Sequence, residues 1–176
     1  FNVMGKDLPF MGARQYESGN MAIGADGPAI RKRMLDISRD EEAIKYIVID
    51  DAQYIMATEF MDKAMVKGYD KFTIMARNIW EILGLAGKLR PDLKIFFLAH
   101  EEETAGGERK MKTLGKLLDD KITPEGLATV VLYADVAGTK ESREYVFTTQ
   151  SDGATNAKSP RGMFPATIPN DLNLVA

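Results

Sequence analysis

Two adjacent carboxylates, Asp50 and Asp51, close an uninterrupted apolar run, Tyr46-Ile47-Val48-Ile49. A short run rich in β-branched residues and bounded by polar ones predicts a buried strand of a parallel sheet. Burying acids is costly unless something pairs with them, so two at a strand's end need a reason. The chemistry they suit is metal-assisted hydrolysis. Mg²⁺ is octahedral and keeps several waters, so a single Asp, here Asp50, is protein ligand enough. Asp51 would then orient or activate the attacking water. A strand that simply runs into a polar loop is the plainer reading of the same residues.

The single histidine, His100, ends the next apolar run, Lys94 to Ala99. At a strand end beside the carboxylates, an imidazole could hydrogen-bond a γ-phosphate and pass that signal to the loop behind it. Alternatively it caps a loop or faces water. Glu101, Glu102 and Glu103 read as a solvated acidic run. Arg109, Lys110, Lys112 and Lys116 follow, against the single acid Glu108. That stretch could track a phosphate backbone, though no aromatic side chain is interleaved for base stacking. An ordinary charged surface explains it equally well. Lys158 and Arg161 form a smaller basic element that could reach a neighbouring subunit's nucleotide, as arginine fingers do in trans; an exposed tail is the alternative. Met56, Met61, Met65 and Met75 read as core packing rather than a cofactor box. Trp80, off the main apolar face, could mark a contact surface.

The elements that must position these groups follow from pattern. Phe1 to Met4 reads as the tail of a strand, and residues 5–26 as loop, punctuated by Pro9, Gly12, Gly19 and Gly24. Asp26-Gly27-Pro28 opens a helix whose face carries Ile30, Met34 and Ile37. Lys45 to Asp50 is the first complete strand. Phe72, Met75, Ala76, Ile79, Leu83 and Ala86 recur at helical spacing until Pro91 stops them. Lys94 to Ala99 is the second strand, so the order is βαβ with a right-handed crossover. The spacing predicts a flexible loop over 101–112, a weak helix over 113–119, and strands over 129–136 and 144–150 joined as an antiparallel hairpin around Gly138.

Composition sets outer limits. The 176 residues suit one domain with a real core, and 45% hydrophobic with 28% charged content is that of a globular chain. No apolar run reaches the length of a membrane span, and the N-terminal residues lack the pattern of a secretory signal. With no cysteine, disulfides and thiolate metal sites are excluded, and a cytoplasmic location is expected. Lys and Arg total 23 against 26 acids, a net charge of −3, so any nucleic-acid contact must come from a local patch.

Five segments together resemble one family across nearly the whole chain: Gly5 to Arg14, Lys45 to Met56, Phe96 to His100, Lys112 to Leu118, and Ala157 to Phe164. They look like the phage AAA-type, RecA-like P-loop ATPases, some of which are Sak-type single-strand-annealing enzymes. The resemblance implies an α/β fold: a RecA-like P-loop NTPase core with a mainly parallel sheet flanked by helices and a C-terminal β-hairpin. It implies one domain over 1–176, with 151–176 an irregular extension. No G-x-x-x-x-G-K-[ST] loop occurs in the 176 residues. The family carries that loop before the strand that Phe1 to Met4 would finish, so a βα unit of about 30 residues is expected upstream.

By the same resemblance Asp50 is the Mg²⁺-side Walker B acid, Asp51 its catalytic neighbour and His100 the sensor. Arg109, Lys110, Lys112 and Lys116 sit in the DNA-contacting loop, and Lys158 and Arg161 form a basic pair reaching across subunits. The implied cofactors are ATP and Mg²⁺. The implied partners are single-stranded DNA and further copies of the chain in a ring or filament, in the host cytoplasm if phage-encoded, with no membrane. The implied role is ATP turnover in recombination or replication. A non-catalytic scaffold keeping only the fold is one alternative, and a helicase loader or packaging motor is another.

Overall fold

The structure, a computed structural model, describes residues 1–8, 11, 19–115, 118 and 122–175. These form two compact units, the first Phe1–His100 with Lys112–Ile122 and the second Glu101–Met111 with Thr123–Ala176.

In the first unit, helix α1 spans Gly27–Asp40, strand β1 Tyr46–Ile49, helix α2 Gln53–Asp62, helix α3 Asp70–Ala86 and strand β2 Lys94–Phe97. Helix α1 starts where Pro28 pre-sets the first turn, with Asp26 at the N-cap but its side chain making no capping bond. Its buried face is Ile30, Met34 and Ile37, as the spacing predicts. Helix α3 buries Met75, Ala76, Ile79, Ile82 and Leu83 and packs against both α1 and α2. The core of this unit closes around Met34, Ile49, Met56, Met75 and Ile79, each with 1% exposure or less. Met61 and Met65 do not join it; at 67% and 94% exposure they correct the expectation of a continuous methionine face.

Strands β1 and β2 pair in parallel, from Tyr46 opposite Lys94 to Ile49 opposite Phe97. Only Ile47 and Ile49 of β1 are buried, while Tyr46 and Val48 face outward, so the strand is covered on one side among the described residues. An unbroken apolar run hides that alternation. Asn2 adds isolated parallel bridges to Asp50 and to Ile23. Arg90 ties the approach to β2 back onto α1, its guanidinium donating to the carbonyls of Ile37, Ser38 and Ile44.

In the second unit, β3 (Glu101–Glu103) and β4 (Arg109–Met111) form one antiparallel pair. The sheet β5 (Tyr133–Gly138), β6 (Arg143–Thr148) and β7 (Thr167–Pro169) is antiparallel throughout, with β6 central. A short 3₁₀ turn, Pro124–Leu127, packs near β4.

These pairings correct the expectation of a RecA-like core with a mainly parallel sheet. The described strands make one small parallel sheet and two antiparallel ones, a mixed α/β arrangement. The reason is connection length: parallel neighbours need a crossover of a dozen or more residues, whereas β3–β4 and β5–β6 are joined by a few. Strands β1 and β2, separated by two helices, meet that requirement; β6 and β7 also have a long connection, yet they pair antiparallel.

The expected loop over 101–112 is likewise corrected. Its acidic half and its basic half are the two strands of a hairpin, with Glu102 opposite Lys110 and Glu103 opposite Arg109. Opposite charges facing each other across a ladder favour such pairing. Of the weak helix expected over 113–119, residues 113–115 are not helical, Leu118 is buried, and 116, 117 and 119 lie outside the described residues. No helix among the described residues is long and apolar enough to cross a membrane.

Candidate functional site

The carboxyl ends of β1 and β2 lie side by side, because the two strands run parallel and in register. Leu98 donates to the Ile49 carbonyl at 2.9 Å, and Ala52 donates to the Leu98 carbonyl at 2.8 Å, carrying the pairing past both strand ends. Asp50, Asp51 and His100 therefore come together, and this placement is what an open parallel sheet offers a ligand.

Asp51 is the centre of the cluster. It is 9% exposed and takes φ of 59°, the one positive value at a described non-glycine residue. Asp tolerates the left-handed region better than most residues, yet such a conformation is unusual and clusters at functional positions. Its Oδ2 accepts from Lys6 Nζ at 2.5 Å, and its Oδ1 lies 3.4 Å from His100 Nε2 and 3.5 Å from Gln53 Nε2. The Lys6 hydrogen bond holds the Asp51 carboxyl below its ordinary value, against burial that pushes the other way, with the Lys6 charge, Gln53 and His100 assisting. Gln53 spans the two strand ends: its Oε1 also accepts the His100 backbone N–H at 3.2 Å. Tyr54, one helical position on, meets the His100 ring edge-on at 6.1 Å and lies 5.6 Å beneath the Lys6 ammonium.

Asp50 differs from its neighbour. Its backbone N–H donates to the Phe1 carbonyl at 2.9 Å, and its carboxylate forms no ion pair or hydrogen bond with a described residue. It is half-buried, an oxygen donor left open to a cation. Mg²⁺ fits this carboxylate, since it takes one or two protein oxygens and fills the rest with water or phosphate. The described residues contain no group of three or more His, Cys, Asp or Glu side chains placed to hold a metal ion. A nucleotide's phosphate cradle of the glycine-loop kind has no counterpart in this sequence.

The other sequence candidates take different positions. Arg109 is engaged within its own unit, with its guanidinium 2.8 Å from both Glu101 and Asp135 and stacked 5.3 Å over Tyr133. Its pKa is driven further up by the Glu101 hydrogen bond, against burial and with Asp135 assisting. Lys110 lies 3.5 Å from Glu102. Lys112 is exposed, and its backbone N–H donates to the His100 carbonyl at 2.9 Å. Lys116 lies outside the described residues. Lys158 bridges Val131 through its backbone and places Nζ 3.4 Å from the Gly126 carbonyl, while Arg161 sits exposed in a turn.

Pattern reading passed over Lys6, Asn2, Gln53 and Tyr54. Gln53 and Tyr54 stand next to the acids in sequence, and a helix starting there must aim its first turn at the strand ends. Lys6 carried one signal: it follows the Phe1–Met4 strand tail, and parallel strand tails converge. Two surface hollows, one beside Arg31, Arg77 and Glu81 and one beside Tyr145 and Ile168, include neither carboxylate nor His100. No protein-family model matches this chain, and no curated protein or solved structure matches it either.

Proposed function

We propose that the protein is a Mg²⁺-dependent ATPase that acts with single-stranded DNA, as one of several copies, in recombination or replication in the cytoplasm. The observation that carries this reading is the convergence of Asp50, Asp51 and His100 at adjacent carboxyl ends of parallel strands. Asp50, with no described partner for its carboxylate, holds the metal. Asp51 orients the attacking water, and His100 hydrogen-bonds the terminal phosphate. Hydrolysis transfers the γ-phosphoryl group to water and releases ADP, so the chain needs no covalent intermediate.

A second reading is a non-catalytic interaction module. The closed Lys6–Asp51 pair and the missing glycine-loop motif favour it. The two separate in one experiment on the natural protein. Mg²⁺-dependent ATP hydrolysis, stimulated by single-stranded DNA, is expected, and Asp50→Ala is expected to lower kcat by about a hundredfold or more. Unchanged hydrolysis in Asp50→Ala would sink the metal assignment. Absence of any hydrolysis or Mg·ATP binding in the natural protein would leave the interaction module.

A further inference from the structure

Lys6 belongs to no motif, yet the fold fixes its backbone from both sides. The Asn2 side chain, in a residue only 6% exposed, donates through Nδ2 to the Lys6 carbonyl at 2.5 Å. Its Oδ1 accepts the Lys6 backbone N–H at 3.1 Å. One amide thus closes both main-chain groups of a single residue, using its donor and its acceptor together. Gly5 supplies the turn at φ of 64°, and a Cβ there would press on Ile23 Cγ2 at 3.1 Å. The side chain beyond this clamp is 60% exposed and ends at Asp51. An ion pair with so exposed a partner adds little stability of its own.

The surroundings of the ammonium suit an anion with several charged oxygens. Helix α2 begins at Gln53 with no side-chain cap on its first turn, which leaves the positive end of its dipole beside the cluster. Tyr54 and His100 line the same side and can donate to phosphate oxygens. Asp50 opposes an anion by its charge, which a divalent cation at that carboxylate would offset.

We propose that Lys6 binds the terminal phosphates of a nucleotide polyphosphate at this site, exchanging Asp51 for phosphate oxygens as the nucleotide enters. The proposal rests on the nucleotide reading above and adds to it a cation that no sequence motif marks. The exchange leaves the Asp51 carboxylate with Gln53 and His100, its face toward water released. No bond is made or broken in the step; one ion pair replaces another.

The test is calorimetric binding of inorganic tripolyphosphate in Mg²⁺, where the cation offsets Asp50 and no nucleotide is present. Lys6→Ala is expected to weaken binding about tenfold, the worth of one charge-assisted contact, and Lys6→Arg to retain most of it. Asp51→Asn removes the competing carboxylate and is expected to tighten binding, a gain that misfolding cannot produce. No binding by the natural protein, equal affinity in Lys6→Ala, or no tightening in Asp51→Asn overturns the proposal. A dT oligonucleotide that displaces tripolyphosphate, and itself depends on Lys6, also overturns it by assigning the position to backbone phosphate. If Asp50→Ala abolishes hydrolysis while Lys6→Ala leaves tripolyphosphate binding intact, the inference fails and the ATPase reading stands. If tripolyphosphate binding follows Lys6 but the natural protein hydrolyses no ATP, the polyphosphate site stands and the ATPase reading fails.

Discussion

The two neighbouring acids have unlike surroundings. Asp51 is buried, strained at φ of 59° and paired with Lys6, whereas the Asp50 carboxylate makes no hydrogen bond or ion pair with a described residue and acts on the Phe1 ammonium and Lys6 only through its charge. Identical side chains at adjacent positions therefore sit differently, one against an ammonium and one with no ion pair to a described residue. The Asp51 carboxyl is held below the ordinary value by the Lys6 hydrogen bond first, so the native state favours the ionised form. Such a group stabilises the fold above the ordinary carboxylate range, and that contribution is lost as pH falls through the depressed native value. We expect the Asp51 carboxyl resonance to titrate below an ordinary aspartate in the natural protein and to move back up in Lys6→Ala. A resonance indifferent to Lys6 would show that the pair does not persist in solution. The adjacency of two acids after an apolar run was legible in sequence. The partner of each was not, because Lys6 lies 45 residues from Asp51 and meets it only through the fold.

At the level of elements, periodicity and turn chemistry reached most of the secondary structure. The faces of α1 and α3 follow from spacing alone, since a helix can bury only what recurs every three or four residues. The hairpin at Gly138 was also readable, though its strands are Tyr133–Gly138 and Arg143–Thr148 rather than 129–136 and 144–150. The glycine is required there: φ is 89°, and a Cβ would lie 2.0 Å from the Ser142 carbonyl oxygen. Gly138→Ala is expected to destabilise the protein by at least about 1–2 kcal/mol, the cost of a left-handed alanine, with the clash in addition. A urea midpoint equal to that of the natural protein would show the turn to be freely remodelled. The β3–β4 hairpin escaped because a run of Glu and then a run of Lys and Arg has no apolar alternation. Its signal is complementarity between the two strands, with Glu102 facing Lys110 and Arg109 reaching Glu101. Reading it needs the register, which belongs to the pair and not to either segment.

For the whole molecule, charge and topology decide what can be expected of partners. The chain carries a net −3, and two of the cations proposed for DNA already face carboxylates, Arg109 against Glu101 and Asp135, Lys110 against Glu102. Counterion release scales with the phosphates neutralised, so single-strand binding should depend weakly on salt. A log–log slope of no more than about 1.5 is expected, against about 3 if four cations engaged the backbone. Fluorescence anisotropy with a dT oligonucleotide across a salt series measures it, and the steeper slope would mean that these ion pairs open on binding. Sequence alone determined what is local: the buried faces of α1 and α3, that acids terminate one apolar run and a histidine the next, and that these 176 residues carry no thiol. These follow from side-chain type and from spacing along a few turns. Sheet order and the membership of the site were decided by tertiary structure. Strand pairing joins segments far apart in the chain, which is why a mixed α/β arrangement replaced the mainly parallel one and why β1 has one open face. The same long-range closure brought Lys6, held by Asn2, and His100 to Asp51, giving that carboxylate a cation that its neighbours in sequence do not announce.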